Sequence, residues 1–106
     1  MKLITKEIEQ RLQKAPLYST DGQRVKKVIV KFFTPDSNWT WYAVEGEKQG
    51  DDWRFFGLVD GFEKEWGYFT LSELQSAKGP LGLSIERDKF FDGYVADSNT
   101  NEVRRA

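Results

Sequence analysis

Neither cysteine nor histidine occurs among the 106 residues. The missing thiols exclude a disulfide framework, an iron–sulfur site, a zinc finger and a cysteine nucleophile. The missing imidazoles exclude the side chain that most often serves as general base or as nitrogen ligand to a metal. Proline is held to three residues and methionine to one. No apolar run approaches the roughly 18 residues of a membrane span. The opening MKLITKEIEQRLQK interleaves charge with apolar residues instead of building the apolar stretch of a secretory signal. The expected location is therefore the cytoplasm, with no membrane association. Carboxylates, Lys, Tyr, Ser and Thr are the reactive side chains that remain, and no cofactor, metal or catalytic residue is expected.

Aromatic residues are abundant instead: eight Phe, four Trp and four Tyr make up 15% of the chain. The net charge of −1 hides an asymmetry. Residues 1–31 hold eight basic and three acidic side chains, residues 32–65 hold three and eight, and residues 66–106 hold five and six. A domain so balanced lacks the strongly basic footprint of a duplex binder. Arg24, Lys26, Lys27 and Lys31 form a local basic run that could meet phosphate. Their ordinary reading is a solvated strand face and edge.

Along the chain, Thr5 caps a short helix whose apolar positions, Ile4, Ile8 and Leu12, recur every four residues on one face. Pro16 ends it. Asp21-Gly22 marks a turn in the loop 17–24. The run Val25–Thr34, rich in β-branched and aromatic residues, predicts one strand. Pro35-Asp36-Ser37-Asn38 is a turn, because proline presets φ and the short polar side chains bond their own backbone. Strands are predicted at Trp39–Glu45, Trp53–Val59 and Trp66–Phe69, separated by a polar turn over 46–52 and a loop over 60–65. Thr70 and Glu73 fit a capping box opening a helix over Leu71–Lys78, which Gly79-Pro80 stops. A packed loop over 79–88 leads to a last strand over Lys89–Val95. Residues 1–96 thus read as one domain and residues 97–106 as a loose polar tail. Short connections between neighbouring strands require antiparallel pairing. The predicted fold class is α+β: an antiparallel meander of four or five strands, with two short helices on one face.

Both faces of the central strands are apolar or aromatic, yet two short helices can cover only one. Three accounts compete: a sheet curled into a barrel-like core, a face left for a protein partner, or a stacking platform for nucleic-acid bases. The carboxylates at Asp36, Asp51, Asp52, Asp60, Glu63 and Glu65 fall in expected loops, where oxygen ligands can bind a divalent cation. Pro35-Asp36 is not followed by the acid-x-Lys of metal-dependent nucleases, since Gly46, Phe62, Ser76 and Arg87 stand two residues before the later lysines. Asp97-x-Asn99-x-Asn101 opens like a calcium loop but lacks its glycine and its length. No phosphate loop is present, because Gly79-x-x-Gly82 lacks the Lys-Ser/Thr ending. Arg87, flanked by Glu86 and Asp88, reads as a pin for its loop rather than a substrate contact.

The segments KFFTPDSNWTWY (31–42), RFFGLVDGFEKEWGYFTLSEL (54–74) and GPLGLSIERD (79–88) resemble a family of small bacterial proteins of unknown function. Members are carried on plasmids, integrative elements and phages. The resemblance spans Met1 to Phe91 and departs from the family at the turn 46–52, at Ser84 where proline is expected, and after Phe91. It implies an accessory protein of mobile DNA, a context in which anti-restriction and anti-CRISPR activities occur; it carries no active site with it.

The expected function is non-enzymatic binding of a protein partner, with inhibition of a host defence system as its sharpest form. Asp36, Trp39, Trp41, Asp60, Glu63, Glu65 and Trp66 are the expected surface. One alternative is a single-stranded nucleic-acid-binding module using Lys26, Lys27, Lys31 and Arg54 beside exposed aromatics. The other is a metal-dependent enzyme built on the loop carboxylates.

Overall fold

The computed structural model describes all of residues 1–106. Helix α1 spans Lys6–Gln13 and helix α2 spans Leu71–Ser76. The strands are β1 (Val25–Lys27), β2 (Val30–Phe33), β3 (Thr40–Gln49), β4 (Asp52–Asp60), β5 (Lys64–Thr70), β6 (Glu86–Arg87), β7 (Gly93–Ala96) and β8 (Val103–Arg105). They form a five-stranded sheet in the order β5-β4-β3-β2-β6 and a three-stranded sheet in the order β1-β7-β8. Every pairing is antiparallel, so the fold is α+β as expected. No helix is long and apolar enough to cross a membrane.

The helices follow from local chemistry. The Thr5 hydroxyl accepts from the Ile8 N–H at 3.2 Å, satisfying one orphan donor of the first turn. The Thr70 hydroxyl does the same for Glu73 at 3.2 Å and donates to its carboxylate at 2.9 Å. Ile8 and Leu12 from α1 and Leu74 from α2 join Val30, Phe32, Ala43, Trp53, Phe55 and Phe69 in one core on a single face of the large sheet.

The opposite face is buried differently from any of the three accounts. The large sheet does not close into a barrel. The small sheet covers it instead, and Val28, Tyr42, Val44, Leu58 and Val95 form a second core between the two. The expected single strand 25–34 is split to make this possible. Val28 donates to the Gly93 carbonyl at 3.0 Å, on the small sheet's side, whereas Ile29 donates to the Ala43 carbonyl at 2.8 Å in the large one. The chain thus changes sheets within two residues, inside a β-branched run that shows no break.

Other boundaries also move. β3 and β4 run through the polar stretch 46–52, with Gln49 opposite Asp52, so only Gly50 and Asp51 turn. Gly50 takes φ +63, a left-handed conformation that favours glycine. Polar composition does not break a strand whose backbone is already paired. β4 and β5 likewise absorb half of the expected loop 60–65, leaving Gly61–Glu63 as the turn. The last long-range strand begins at Gly93 rather than Lys89, and after Ala96, where a tail is expected, the chain returns as β8 against β7. A bulge in β3 between Ala43 and Glu45 puts Val44 and Glu45 on the same side, facing the second core.

Candidate functional site

The β2–β3 and β4–β5 turns lie at one end of the large sheet, because Thr40 is opposite Asp60 and Asp60 opposite Lys64. Thr34 closes the first turn: its N–H donates to the Trp39 carbonyl at 3.0 Å and its hydroxyl accepts from the Trp39 N–H at 3.0 Å. Gly61 closes the second by donating to the Glu63 carbonyl at 3.1 Å. A Cβ on Gly61 would lie 2.3 Å from the Trp39 indole, so only glycine lets that turn sit against the ring. Trp39 stacks on Trp41 with centroids 5.9 Å apart, and Phe62 meets Trp39 edge-on at 5.3 Å. Trp41 packs against the helix-covered core while Phe62 is 95% exposed. The result is a three-ring cluster anchored below and open above.

The carboxylates around this end have distinct roles. Trp41, Val59 and Glu65 are successive cross-strand neighbours, so Glu65 shares the face of Trp41. Glu63 and Glu65 are exposed and Asp60 half-buried, and none of them pairs with a cation. Asp36 is instead a clamp. One of its oxygens accepts from the Leu81 N–H at 2.8 Å and from the Leu83 N–H at 3.4 Å. The other is buried without a partner, against Gly79, where a Cβ would collide with it. Asp36 thereby holds the 79–84 loop with Leu81 80% exposed at its tip. Trp66 belongs to the other face: it stacks on Phe56 at 5.7 Å and donates to the Asn101 side chain at 3.0 Å. Of the seven residues expected to form one surface, the structure gathers Trp39, Trp41, Glu63 and Glu65, leaves Asp60 half-buried at the end of β4, sets Asp36 beneath a loop, and turns Trp66 away. Trp53, at the far end of the sheet, is buried core.

The basic set does not assemble. Lys26, read as part of a solvated face, is 5% exposed; its ammonium donates to the Thr20 carbonyl at 2.6 Å. Lys27 pairs with Asp92. Lys31 pairs with Asp88 at 3.3 Å and lies over the Phe91 ring at 5.0 Å. Arg54 lies over Tyr68 at 4.5 Å. Burial pushes the Asp88 carboxyl up, but hydrogen bonds from the Phe90 N–H and Lys31, with the Lys31 charge, outweigh it and hold the group below the usual carboxylate range. Burial, reinforced by Asp60 and Asp88, raises the Tyr42 phenol. Arg87 donates to the Lys2 carbonyl, pinning its loop to the N-terminal segment.

The loop carboxylates do not converge: no group of three or more Asp or Glu side chains stands where it could hold one metal ion. Asp52 is occupied with the start of α2, accepting from the Ser72 hydroxyl at 2.7 Å and the Ser72 N–H at 3.0 Å. Phe62 and Leu81 were not singled out from the sequence. An apolar residue between Gly61 and Glu63 in a tight turn is a legible sign of exposure. The tie from Leu81 to Asp36, 45 residues away, has no local sign.

A family model described as protein of unknown function (DUF2958) matches residues 3–105. The chain belongs to this family. The family match extends past Phe91 through β7 and β8, so the C-terminal strands that complete the small sheet are part of the family's domain. No curated protein and no solved structure matches the chain.

Proposed function

We propose that this protein is a non-enzymatic binding protein that acts by occupying the surface of a partner protein, in the cytoplasm, as an accessory of a mobile genetic element that blunts a host defence complex. The observation that carries the binding reading is the Trp39–Trp41–Phe62 cluster, with Phe62 almost wholly exposed beside the unpaired Glu63 and Glu65. Interfaces enrich aromatic residues, Trp and Phe among them, and keep polar, solvent-accessible residues at the rim. The carboxylates favour a partner that offers Lys or Arg around an apolar pocket. The mobile-element context rests on the resemblance in the three sequence segments and is the part that genetics must test.

The deciding experiment places a photo-crosslinking amino acid at position 62 and identifies what it captures in bacteria with an active restriction or CRISPR system. The partner should then bind purified wild-type protein, and Phe62→Ala and Phe62→Glu should each weaken it at least tenfold while both variants keep the wild-type unfolding midpoint, since Phe62 is exposed. Equal binding by the variants would sink this surface. Unchanged interference against incoming DNA on expression would sink the defence role.

A second reading has one observation in its favour. Arg54 over Tyr68, beside the Tyr68–Phe56–Trp66 rings, makes a short stacking track on the other face. It predicts salt-sensitive quenching of Trp66 fluorescence by single-stranded oligonucleotides, lost in Arg54→Ala. The burial of Lys26 and the pairing of Lys27 and Lys31 weigh against it.

A further inference from the structure

β5 ends the large sheet, and no strand lies along its outer side. Its seven residues therefore present a row of unpaired backbone N–H and C=O groups. The other sheet ends are blunted by brevity: β6 has two residues, and β1 and β8 have three each. β5 carries none of the usual protections. It contains no proline, its register against β4 runs unbroken from Arg54↔Thr70 to Asp60↔Lys64, and its charged residues, Lys64 and Glu65, stand at one end only.

Gly67 at the middle of β5 is unexplained by the chain's own packing. Glycine in a strand interior weakens it, and is found where a bulge forms or another backbone approaches closely. There is no bulge at Gly67 and its φ is not positive. A Cβ there would meet nothing within 4 Å, so no intrachain contact demands its absence. Gly67 therefore leaves the middle of the edge free of any side chain that could overhang it, so a second backbone can come alongside there.

We propose that the occupant is β5 of a second copy, paired antiparallel about a two-fold axis through Gly67, so that two sheets join into one of ten strands. Gly67 is the midpoint of Lys64–Thr70, so this is the symmetric register that pairs all seven residues. It sets Gly67 against Gly67 at the axis. It sets Trp66 opposite Tyr68 of the other copy twice, on the face where Trp66 and Tyr68 already flank Phe56 at 5.7 and 5.1 Å. Tyr68, 44% exposed in the single chain, is covered. Lys64 faces Thr70 and Glu65 faces Phe69, so no like charges stand directly opposed. An interface of one strand pair and two ring pairs is small, which puts the dimer in the weak class. The axis lies perpendicular to the sheet, so both Trp39–Trp41–Phe62 clusters face the same side. The inference does not depend on their being a docking surface.

Sedimentation equilibrium from about 1 to 500 µM, a range suited to weak association, tests it. The wild-type mass should climb from 12.3 kDa toward twice that value. Gly67→Lys, whose Cβ meets nothing within 4 Å, should stay folded by circular dichroism and weaken association at least tenfold by setting two like charges opposite each other. Because the chain has no cysteine, Gly67→Cys introduces the only thiol, and mild oxidation should give a covalent dimer several-fold faster than Gln10→Cys, placed on α1. A wild-type monomer throughout the range overturns the proposal and leaves the edge to an extended segment of another protein. Association that Gly67→Lys leaves unchanged, or equal cross-linking at both thiols, overturns it by showing another interface.

Discussion

One face of the large sheet lies under two helices and is almost wholly hydrocarbon; the other lies under three short strands and carries charge into its interior. On the helical side, Phe55 stands among Phe32, Phe69 and Trp53 with ring centroids 5.8, 5.4 and 6.5 Å away. On the other side the Glu45 carboxylate, 1% exposed, accepts from the Tyr18 N–H at 2.7 Å, the Thr20 N–H at 2.8 Å and the Thr20 hydroxyl. The difference comes from how each cover treats its backbone. A helix satisfies its own peptide groups and offers side chains alone. The loop that leads into β1 offers bare N–H groups, Tyr18 with φ +74 among them, and these need a buried acceptor. The β3 bulge supplies one by turning Glu45 inward beside Val44.

The contrast predicts graded losses. Phe55→Ala should cost about 4 kcal/mol, since it opens a cavity among rings that cannot collapse onto it; urea unfolding measures it, and a loss under about 2 kcal/mol would mean that the helical face is not the main core. Glu45→Ala should cost about 2–3 kcal/mol by leaving buried donors unpaired. Its signature is local: hydrogen exchange should rise over residues 17–20 and β1 while β4 stays protected. Glu45→Gln should lose less, because the amide keeps one acceptor oxygen. Equal losses from Ala and Gln would contradict the acceptor role.

The smallest effect concerns pH and the rim of the second face. Asp88 is held below the usual carboxylate range in the folded protein, so the folded state binds its proton less tightly than the unfolded chain. Its contribution is therefore present above the ordinary carboxylate pKa and is lost as pH falls through the lower folded value. Asp88 is partly open to solvent, so the stake is well under about 1 kcal/mol. Between about pH 4 and 3, the wild type should lose slightly more of its unfolding midpoint than Asp88→Asn. Parallel curves would show that the Lys31–Asp88 pair adds nothing.

Local features carried the parts of this architecture that were legible. Thr5 with Ile8 and Leu12, Thr70 with Glu73, and the Pro35–Asn38 turn each act within a few residues, and each appears where its chemistry places it. The break at Val28–Ile29 was hidden, because both residues suit a strand and only the partner across the gap differs. β8 was hidden because a polar segment with little apolar content becomes a strand once β7 offers it an edge. Half of the expected site was readable for a similar reason: Trp39 and Trp41 are spaced by two where the chain enters β3, whereas the roles of Asp36 and Trp66 depend on Leu81 and Asn101, far along the chain.

Composition and short-range pattern were enough to exclude thiol and imidazole chemistry, to place two capped helices around a meander, and to mark aromatic residues as the feature to explain. Which aromatics of the opposite face are interior and which open was settled only by the second sheet. Its founding pairs, such as Val25 with Ala96, join residues about 70 apart, and no local propensity encodes a contact whose energy exists only after that loop has closed.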